Sequence, residues 1–252
     1  MEPVDYNVRQ YRNYARGRAL RPAQLTFWIR AFAARLPEHR PLDGLDLGSG
    51  TGRFTPALAA AFGPVTGVEP AAQMRRIAEA AAAHPSVTYL SGSAEAIPVP
   101  DASIDYTLMF LTWHHVQDKP MAARELARAT RPGGRLLVRS PFRDHMPRVW
   151  WMEYFPRARE VDAATFEPLA DVIALFAGAG WEVADFAELS QPSVATRAEV
   201  AAQLRLLPFS IFERLTSEEV EAGLRRLEAA VAADPGAPAP RGRQTLLTLA
   251  RR

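Results

Sequence analysis

The sequence contains no cysteine among its 252 residues. Without thiols the chain forms neither disulfide bonds nor cysteine-ligated zinc sites, and it has no cysteine nucleophile. It also lacks an apolar run near the ~18 residues that a membrane span requires. The segment 1–18 is polar and arginine-rich, without the apolar stretch typical of a secretory signal. We therefore expect a cytoplasmic protein with no membrane partner.

A strong charge of either sign is missing as well. The formal net charge is only +2, and Lys119 is the only lysine, so arginine supplies almost all the positive charge. Such a weak net charge gives no basic field for nucleic acid. We expect no nucleic-acid partner, and a small molecule as the substrate.

Potential metal ligands are few, since the chain has five histidines and no cysteine. His114 and His115 are adjacent, so they cannot share one face of a helix or strand. No other histidine stands at helical spacing from them. The sequence therefore predicts that there is no metal site.

Apolar segments instead alternate between the strand and helix patterns along the chain, and 48% of the residues are hydrophobic. This alternation predicts an α/β fold of the Rossmann-like kind, with a mostly parallel seven-stranded sheet covered by helices on both faces. We predict a single domain over 1–252, with an N-terminal helical cover at 1–36. A long connection before the last strand predicts a helical cap insertion over 195–240, whose apolar stripe is Val220, Leu224, Leu227 and Val231. The segment 141–166 is predicted to be irregular, and 131–134 to be a turn before the fifth strand.

The most informative segment is Leu45-Asp46-Leu47-Gly48-Ser49-Gly50-Thr51-Gly52, where a predicted strand runs into a glycine-rich turn and a helix. Glycines there allow positive φ and a close backbone approach to a ligand. A dinucleotide-binding loop has the pattern G-x-G-x-x-G, but here Arg53 occupies the position of the third glycine. Asp46 is unfavourable beside a pyrophosphate and suits a ligand that carries an ammonium group. The pattern favours S-adenosylmethionine over NAD.

Glu69 ends the second predicted strand. A carboxylate in that place can accept hydrogen bonds from both hydroxyls of a ribose. Taken alone, Glu69 would be a solvated glutamate at a strand end. Its pairing with the glycine loop favours the ribose role.

Further motifs follow in order, and together they carry a resemblance to a family: Val68-Glu69-Pro70, Ala94-Glu95-Ala96-Ile97-Pro98, Asp101 to Asp105, Trp113-His114-His115-Val116, Arg124 to Arg128, and Arg131-Pro132-Gly133-Gly134-Arg135-Leu136. The chain resembles the class I S-adenosylmethionine-dependent methyltransferases of type 11, which are similar to the ubiquinone and menaquinone biosynthesis enzymes. The resemblance implies that S-adenosylmethionine is the cofactor. It also implies which residues bind it: Tyr14, Arg18, Asp46, Gly48, Ser49, Gly50, Glu69, Met74, Ser93, Ala94 and Glu95.

Within that set, the resemblance implies that Asp46 lies near the cofactor ammonium and that the backbone N–H of Ala94 faces the adenine. Tyr14 and Arg18 would close over the cofactor carboxylate, unless they belong to a solvated basic helix. Met74 would pack on the adenine, unless it is a plain core methionine. Ser93 departs from the family, which usually has aspartate there, so we expect weaker adenine recognition, with Glu95 as a substitute acceptor.

His114 and His115 follow the fourth predicted strand, beside the expected methyl position. Histidine suits a catalytic base because its pKa lies near neutrality. We expect at most one of the two to face the acceptor, and the other to be a packed loop residue.

The segment after the fifth predicted strand is crowded with aromatic and basic side chains: Phe142, Arg143, His145, Trp150, Trp151, Tyr154 and Phe155. These residues either wall a pocket for an apolar or aromatic acceptor or merely cover the sheet edge. The predicted function is methyl transfer to a small molecule by a monomer or homodimer. The alternatives are a member of the same fold that binds the cofactor without methylating and, less favoured, an NAD-dependent oxidoreductase.

Overall fold

The computed structural model describes residues 20–191, 195–240 and 242–252. Within these residues, seven strands form one sheet in the order β3-β2-β1-β4-β5-β7-β6. The strands are β1 (Gly44–Leu47), β2 (Val65–Val68), β3 (Val87–Leu90), β4 (Ile104–Phe110), β5 (Thr130–Arg139), β6 (Trp181–Leu189) and β7 (Gln244–Arg251). The pairs from β3 through β5 are parallel, whereas β7 is antiparallel to both β5 and β6.

Helices cover both faces of the sheet. They are α1 (Pro22–Ala33), α2 (Thr55–Phe62), α3 (Ala72–Ala81), α4 (Lys119–Ala129), α5 (Pro156–Thr165), α6 (Leu169–Gly178), α7 (Arg197–Leu204) and α8 (Ser217–Ala232). Short 3-10 turns lie at Trp113–His115, Trp150–Tyr154 and Ser210–Arg214. No helix among the described residues is long and apolar enough to cross a membrane.

Strand alternation explains the two layers. Leu45, Leu47 and Met109 pack on one face with α4 and α6, while Tyr106 and Leu108 pack on the other with α1 and α2. Successive strand residues point to opposite faces, so nearly continuous apolar strands fill both layers. The predicted fold class is confirmed, including the helical insertion between β6 and β7.

Two local predictions were wrong. The segment 141–166, predicted to be irregular, contains the 3-10 turn at Trp150–Tyr154 and the helix α5. The turn predicted at 131–134 does not precede the fifth strand but interrupts it. Thr130 already pairs with Ile104, and the register then jumps so that Arg135 pairs with Tyr106. The chain between them bulges out of the ladder.

We call residues 150–165 and 197–232 the roof, because they form a third apolar cluster beside the sheet. Val220, Leu224, Leu227 and Val231 are all buried there, as the stripe predicted. Gly223 lies so close to Phe155 that an added Cβ would be 2.2 Å from its ring. The two parts of the roof are therefore in contact. The division into one domain with a cover at 1–36 and a cap at 195–240 stays a prediction.

Candidate active site

The glycine loop leaves the carboxyl end of β1 in a strained path. Gly48, Gly50 and Gly52 have φ values of 74°, 57° and 75°, which side chains rarely adopt. A Cβ on Gly48 would lie 2.4 Å from Cγ2 of Thr112, so this position has no room for a side chain. The loop thus brings bare backbone to the end of the sheet where open α/β folds bind ligands.

Asp46 lies at the base of this loop and is 3% exposed. The Thr55 hydroxyl, at the start of α2, donates a 2.6 Å hydrogen bond to its Oδ2. Burial raises the pKa of Asp46 to about 6, while the Thr55 hydrogen bond and the charge of Arg53 oppose that shift. A buried carboxylate with one donor is suited to receive a cationic group.

Glu69 follows β2 and faces the same loop. Its two carboxylate oxygens accept backbone hydrogen bonds from Gly50 and Ala71, each 2.9 Å long. Burial raises the pKa of Glu69, and these two hydrogen bonds counteract the rise. A carboxylate offers about four acceptor positions, so about two remain for the hydroxyls of a ligand.

The side chains predicted for the adenine lie beyond Glu69. Met74 and Ala94 are buried. Ser93 pairs with Ala96 in an isolated bridge, and its hydroxyl bonds to Glu95. Oε1 of Glu95 also accepts from the backbone N–H groups of Gln117 and Asp118, at 2.9 and 3.2 Å. Burial acts to raise the pKa of Glu95, but these hydrogen bonds lower it overall.

The donor and acceptor set around the glycine loop fits S-adenosylmethionine. Two buried carboxylates match an ammonium and a ribose, and positive-φ glycines leave space for the ligand. The Ser49 hydroxyl is buried and has no hydrogen-bond partner among the described residues, so it can serve a ligand. Tyr14 and Arg18 lie outside the described residues.

A cavity of about 740 Å³ adjoins this loop beneath the roof. Its sheet side includes Arg53, Phe110, His114 and Arg139, and its roof side includes Trp150, Trp151, Met152, Phe209 and Ile211, with Phe166 directly after α5. The guanidinium groups of Arg53 and Arg139 lie 5.3 and 5.2 Å from the ring centre of Phe110. Large aromatic surfaces and a few polar groups are typical of small-molecule sites.

The two adjacent histidines differ in whether their side chains line the cavity. Their rings are 4.0 Å apart within the 3-10 turn that follows β4. His114 lines the cavity and lies 5.0 Å from the ring of Phe166, whereas His115 is not among the described lining residues. Of the other segment residues, Trp150 and Trp151 line the cavity, but Phe142 is buried against the sheet and Arg143 donates to the Phe166 carbonyl.

Four residues of these sites escaped the sequence analysis: Thr55, Thr112, Asp162 and Arg214. Thr55 and Thr112 act through contacts with Asp46 and Gly48 that no local pattern reveals. Asp162 and Arg214 line the cavity from the roof, in a helix and a turn that carry no motif. Among the described residues, no group of three or more His, Cys, Asp or Glu side chains is arranged to hold a metal ion.

Comparisons with known proteins match the sheet part of the chain. The protein-family profile described as "Methyltransferase domain" matches residues 45–138. An uncharacterized methyltransferase of Mycobacterium tuberculosis, Rv3342, is 35% identical over 162 residues, which are 64% of this chain and 60% of that protein. The ubiquinone/menaquinone biosynthesis C-methyltransferase UbiE of Rubrivivax gelatinosus is 32% identical over 128 residues, or 51% of this chain and 49% of that protein. The match thus spans about half to three fifths of these relatives.

Solved structures agree with the fold. A protein of Anabaena variabilis, assigned as a methyltransferase from an antibiotic biosynthesis pathway, superposes with a TM-score of 0.71 at 23% identity. The superposition covers 90% of this chain and 99% of that one. Residues 45–138 thus match the methyltransferase-domain profile, and the solved structure shares the fold of the described residues.

Proposed function

We propose that this protein transfers a methyl group from S-adenosylmethionine to a small-molecule acceptor. The observation that carries the proposal is the adjacency of two sites. Arg53 directly follows the glycine loop and also lines the 740 Å³ cavity, so a cofactor on the loop and an acceptor in the cavity would be neighbours. Methyl transfer needs this proximity above all, because it is an in-line displacement.

The cofactor residues follow from the contacts around the loop. Asp46 would accept from the cofactor ammonium, and Glu69 from the two ribose hydroxyls. Gly48, Ser49 and Gly50 would contact the amino-acid part. Met74, Ser93, Ala94 and Glu95 would border the adenine, with the Glu95 carboxylate already engaged by Gln117 and Asp118. Tyr14 and Arg18 remain proposed partners of the cofactor carboxylate.

When bound, S-adenosylmethionine supplies an electrophilic methyl group. The chain's own contribution is then to hold the acceptor and to exclude water beneath the roof. His114 lines the cavity from the turn that follows β4, so it would take a proton from the acceptor or orient it. His115 packs on His114, so it would act indirectly by holding that ring in place.

Calorimetric titration with S-adenosylhomocysteine, with NAD as a control ligand, tests the cofactor part. We expect micromolar binding of the former and none of the latter. Glu69→Ala should abolish the binding, whereas Glu79→Ala, which removes an exposed carboxylate from α3, should not. Gly48→Val should also abolish it.

Transfer itself is tested with labelled S-adenosylmethionine and a panel of small acceptors. Transfer to any of them that needs intact Glu69 supports the proposal. Binding without transfer to any acceptor would instead favour a member of the family that uses the cofactor for something other than methylation. Binding of NAD alone would contradict the proposal.

A further inference from the structure

A single carboxylate faces the cavity from the roof without a hydrogen-bonding partner. Asp162 lies on α5 and lines the cavity. Its carboxylate receives no hydrogen bond or close ion pair from the part of the chain that the structure describes. The charge of Arg214 acts on this carboxylate from a distance, and the Arg214 guanidinium donates a 2.7 Å hydrogen bond to the Thr165 hydroxyl instead.

This arrangement leaves the acceptor capacity of Asp162 unused. Burial raises the pKa of Asp162 to about 6, and Arg214 only partly opposes the rise. The carboxylate is therefore still mostly ionised at neutral pH. A half-buried ionised group without donors loses part of its hydration, so a ligand that donates a hydrogen bond there would be stabilised.

The surroundings of Asp162 narrow the kind of ligand. Besides the polar Thr165, Glu199, Gln203 and Arg214, the roof side of the cavity has large apolar side chains: Trp150, Trp151, Met152, Phe209 and Ile211, with Phe166 directly after α5. Such walls suit a ring or another apolar body. Five arginines and two carboxylates line the described cavity, and one of those carboxylates, Glu199, is paired with Arg21 at 2.7 Å. This excess of positive charge disfavours a cationic ligand.

We propose that Asp162 determines the acceptor specificity by accepting a hydrogen bond from the hydroxyl group of an uncharged, apolar, ring-bearing acceptor. The inference rests on the proposed function, because it assigns the cavity to the acceptor. Asp162 is a recognition residue on the roof, whereas His114 lines the cavity from the turn that follows β4. A neutral hydroxyl fits this site better than an ammonium group because it adds no charge beside the arginines.

The test compares pairs of probes in which one member has a hydroxyl group that can donate a hydrogen bond and the other has a methyl ether that cannot. Phenol, 2-naphthol and cyclohexanol are titrated calorimetrically against their methyl ethers, on the full-length protein without cofactor. A 2-naphthylmethylammonium ion serves as the cationic probe. We expect the hydroxyl form of at least one pair to bind about tenfold more tightly than its ether. Asp162→Ala and Asp162→Asn should each reduce this preference, and Ala should remove it.

Glu160→Ala is the matched control, since it removes an exposed carboxylate from the same helix. It should leave the hydroxyl preference unchanged. Thermal unfolding of each variant shows whether the fold is kept, and Asp162→Asn provides a second variant of similar size should Asp162→Ala fail to fold.

Three outcomes would overturn the inference: no binding by any probe pair, a hydroxyl preference that survives in Asp162→Ala, or tighter binding of the ammonium probe than of 2-naphthol. Failure of the proposed function is recognised separately. It would appear as absent binding of S-adenosylhomocysteine to the unmodified protein, and the probe titrations do not depend on that ligand.

Discussion

The sheet half of the molecule, residues 44–139, holds Asp46 and Glu69 differently from the way in which the roof holds Asp162. In the sheet half, Glu69 is fixed by the backbone N–H groups of Gly50 and Ala71, and Asp46 by the Thr55 hydroxyl. In the roof, Asp162 has only the electrostatic influence of Arg214. Backbone donors keep their positions whatever side chains surround them. Carboxylates fixed by neighbouring donors fit the proposed role in cofactor binding, and a carboxylate without donors fits the proposed role in acceptor recognition.

The largest effect should come from the side chain at the junction of the two regions. His114→Ala should lower kcat by about a thousandfold if this ring is the base, since general bases contribute roughly 10²–10⁴ in rate. His115→Ala should cost far less, because His115 does not line the cavity. Methyl-transfer kinetics on the first acceptor found would measure both. Equal losses in the two variants, or none in either, would remove His114 from the role of base.

A matched pair of buried leucines, one in each region, tests whether a loss of stability in either region also affects cofactor binding. Leu58 on α2 and Leu227 on α8 are both 0% exposed. Each change to alanine should lower the free energy of unfolding by about 3 kcal/mol, because each leaves a cavity in a packed core. Only Leu58→Ala should also weaken the binding of S-adenosylhomocysteine, because α2 carries Thr55, whose hydroxyl donates a hydrogen bond to Asp46. Denaturant unfolding and calorimetry give the two numbers.

Glu221→Ala, which changes an exposed residue of α8, is the control for the pair and should leave both quantities almost unchanged. If Leu227→Ala weakened the binding of S-adenosylhomocysteine as much as Leu58→Ala does, packing in the roof would affect cofactor binding as strongly as packing in the sheet half.

The same contrast explains what the sequence could predict. The strands β3 and β4 were predicted with their observed bounds, because each is a short run rich in β-branched and aromatic residues. β4 is mostly buried, whereas β3 lies at the sheet edge and is partly exposed. Asp46, Gly48 and Glu69 stand at strand ends, where the topology itself brings them together. The helix α5 was missed because it has no apolar stripe, with Ala158 as its only buried residue. Asp162 was missed for the same reason, since its position in the cavity depends on tertiary packing of the roof.

A next smaller effect concerns the backbone of the loop. Gly48→Ala should weaken the binding of S-adenosylhomocysteine by about thirtyfold, or roughly 2 kcal/mol, because the added methyl group meets Thr112 and would displace the loop from the ligand. Its positive φ should also strain the backbone and lower the stability. Gly133→Ala is the matched control, because Gly133 has a similar φ of 79° but no atom within 4 Å of its added Cβ. Gly133→Ala should lower the free energy of unfolding by a similar amount and leave the binding of S-adenosylhomocysteine unchanged. Equal binding losses would mean that strain alone, and not the ligand approach, explains Gly48.

The smallest expected effect is a pH dependence. The pKa of Asp46 is about 6 in the folded protein, above its ordinary value of 3.8. The contribution of Asp46 to the free energy of unfolding of the ligand-free protein is therefore lost as the pH rises through about 6. The ammonium of a bound ligand requires the ionised form, so the affinity for S-adenosylhomocysteine should move the opposite way. It should be about tenfold weaker at pH 5 than at pH 7, with a plateau above pH 7.

Two variants assign this pH step to Asp46. Thr55→Val removes the hydrogen bond that lowers its pKa, so the step should shift to higher pH while the volume of the side chain is kept. Asp46→Asn should remove the step, apart from a remainder due to Glu69, whose pKa burial also raises. A step that persists in full in Asp46→Asn would assign it to Glu69. The affinity for S-adenosylhomocysteine would then depend on pH through Glu69, the proposed ribose acceptor, rather than through Asp46, the proposed partner of the ammonium group.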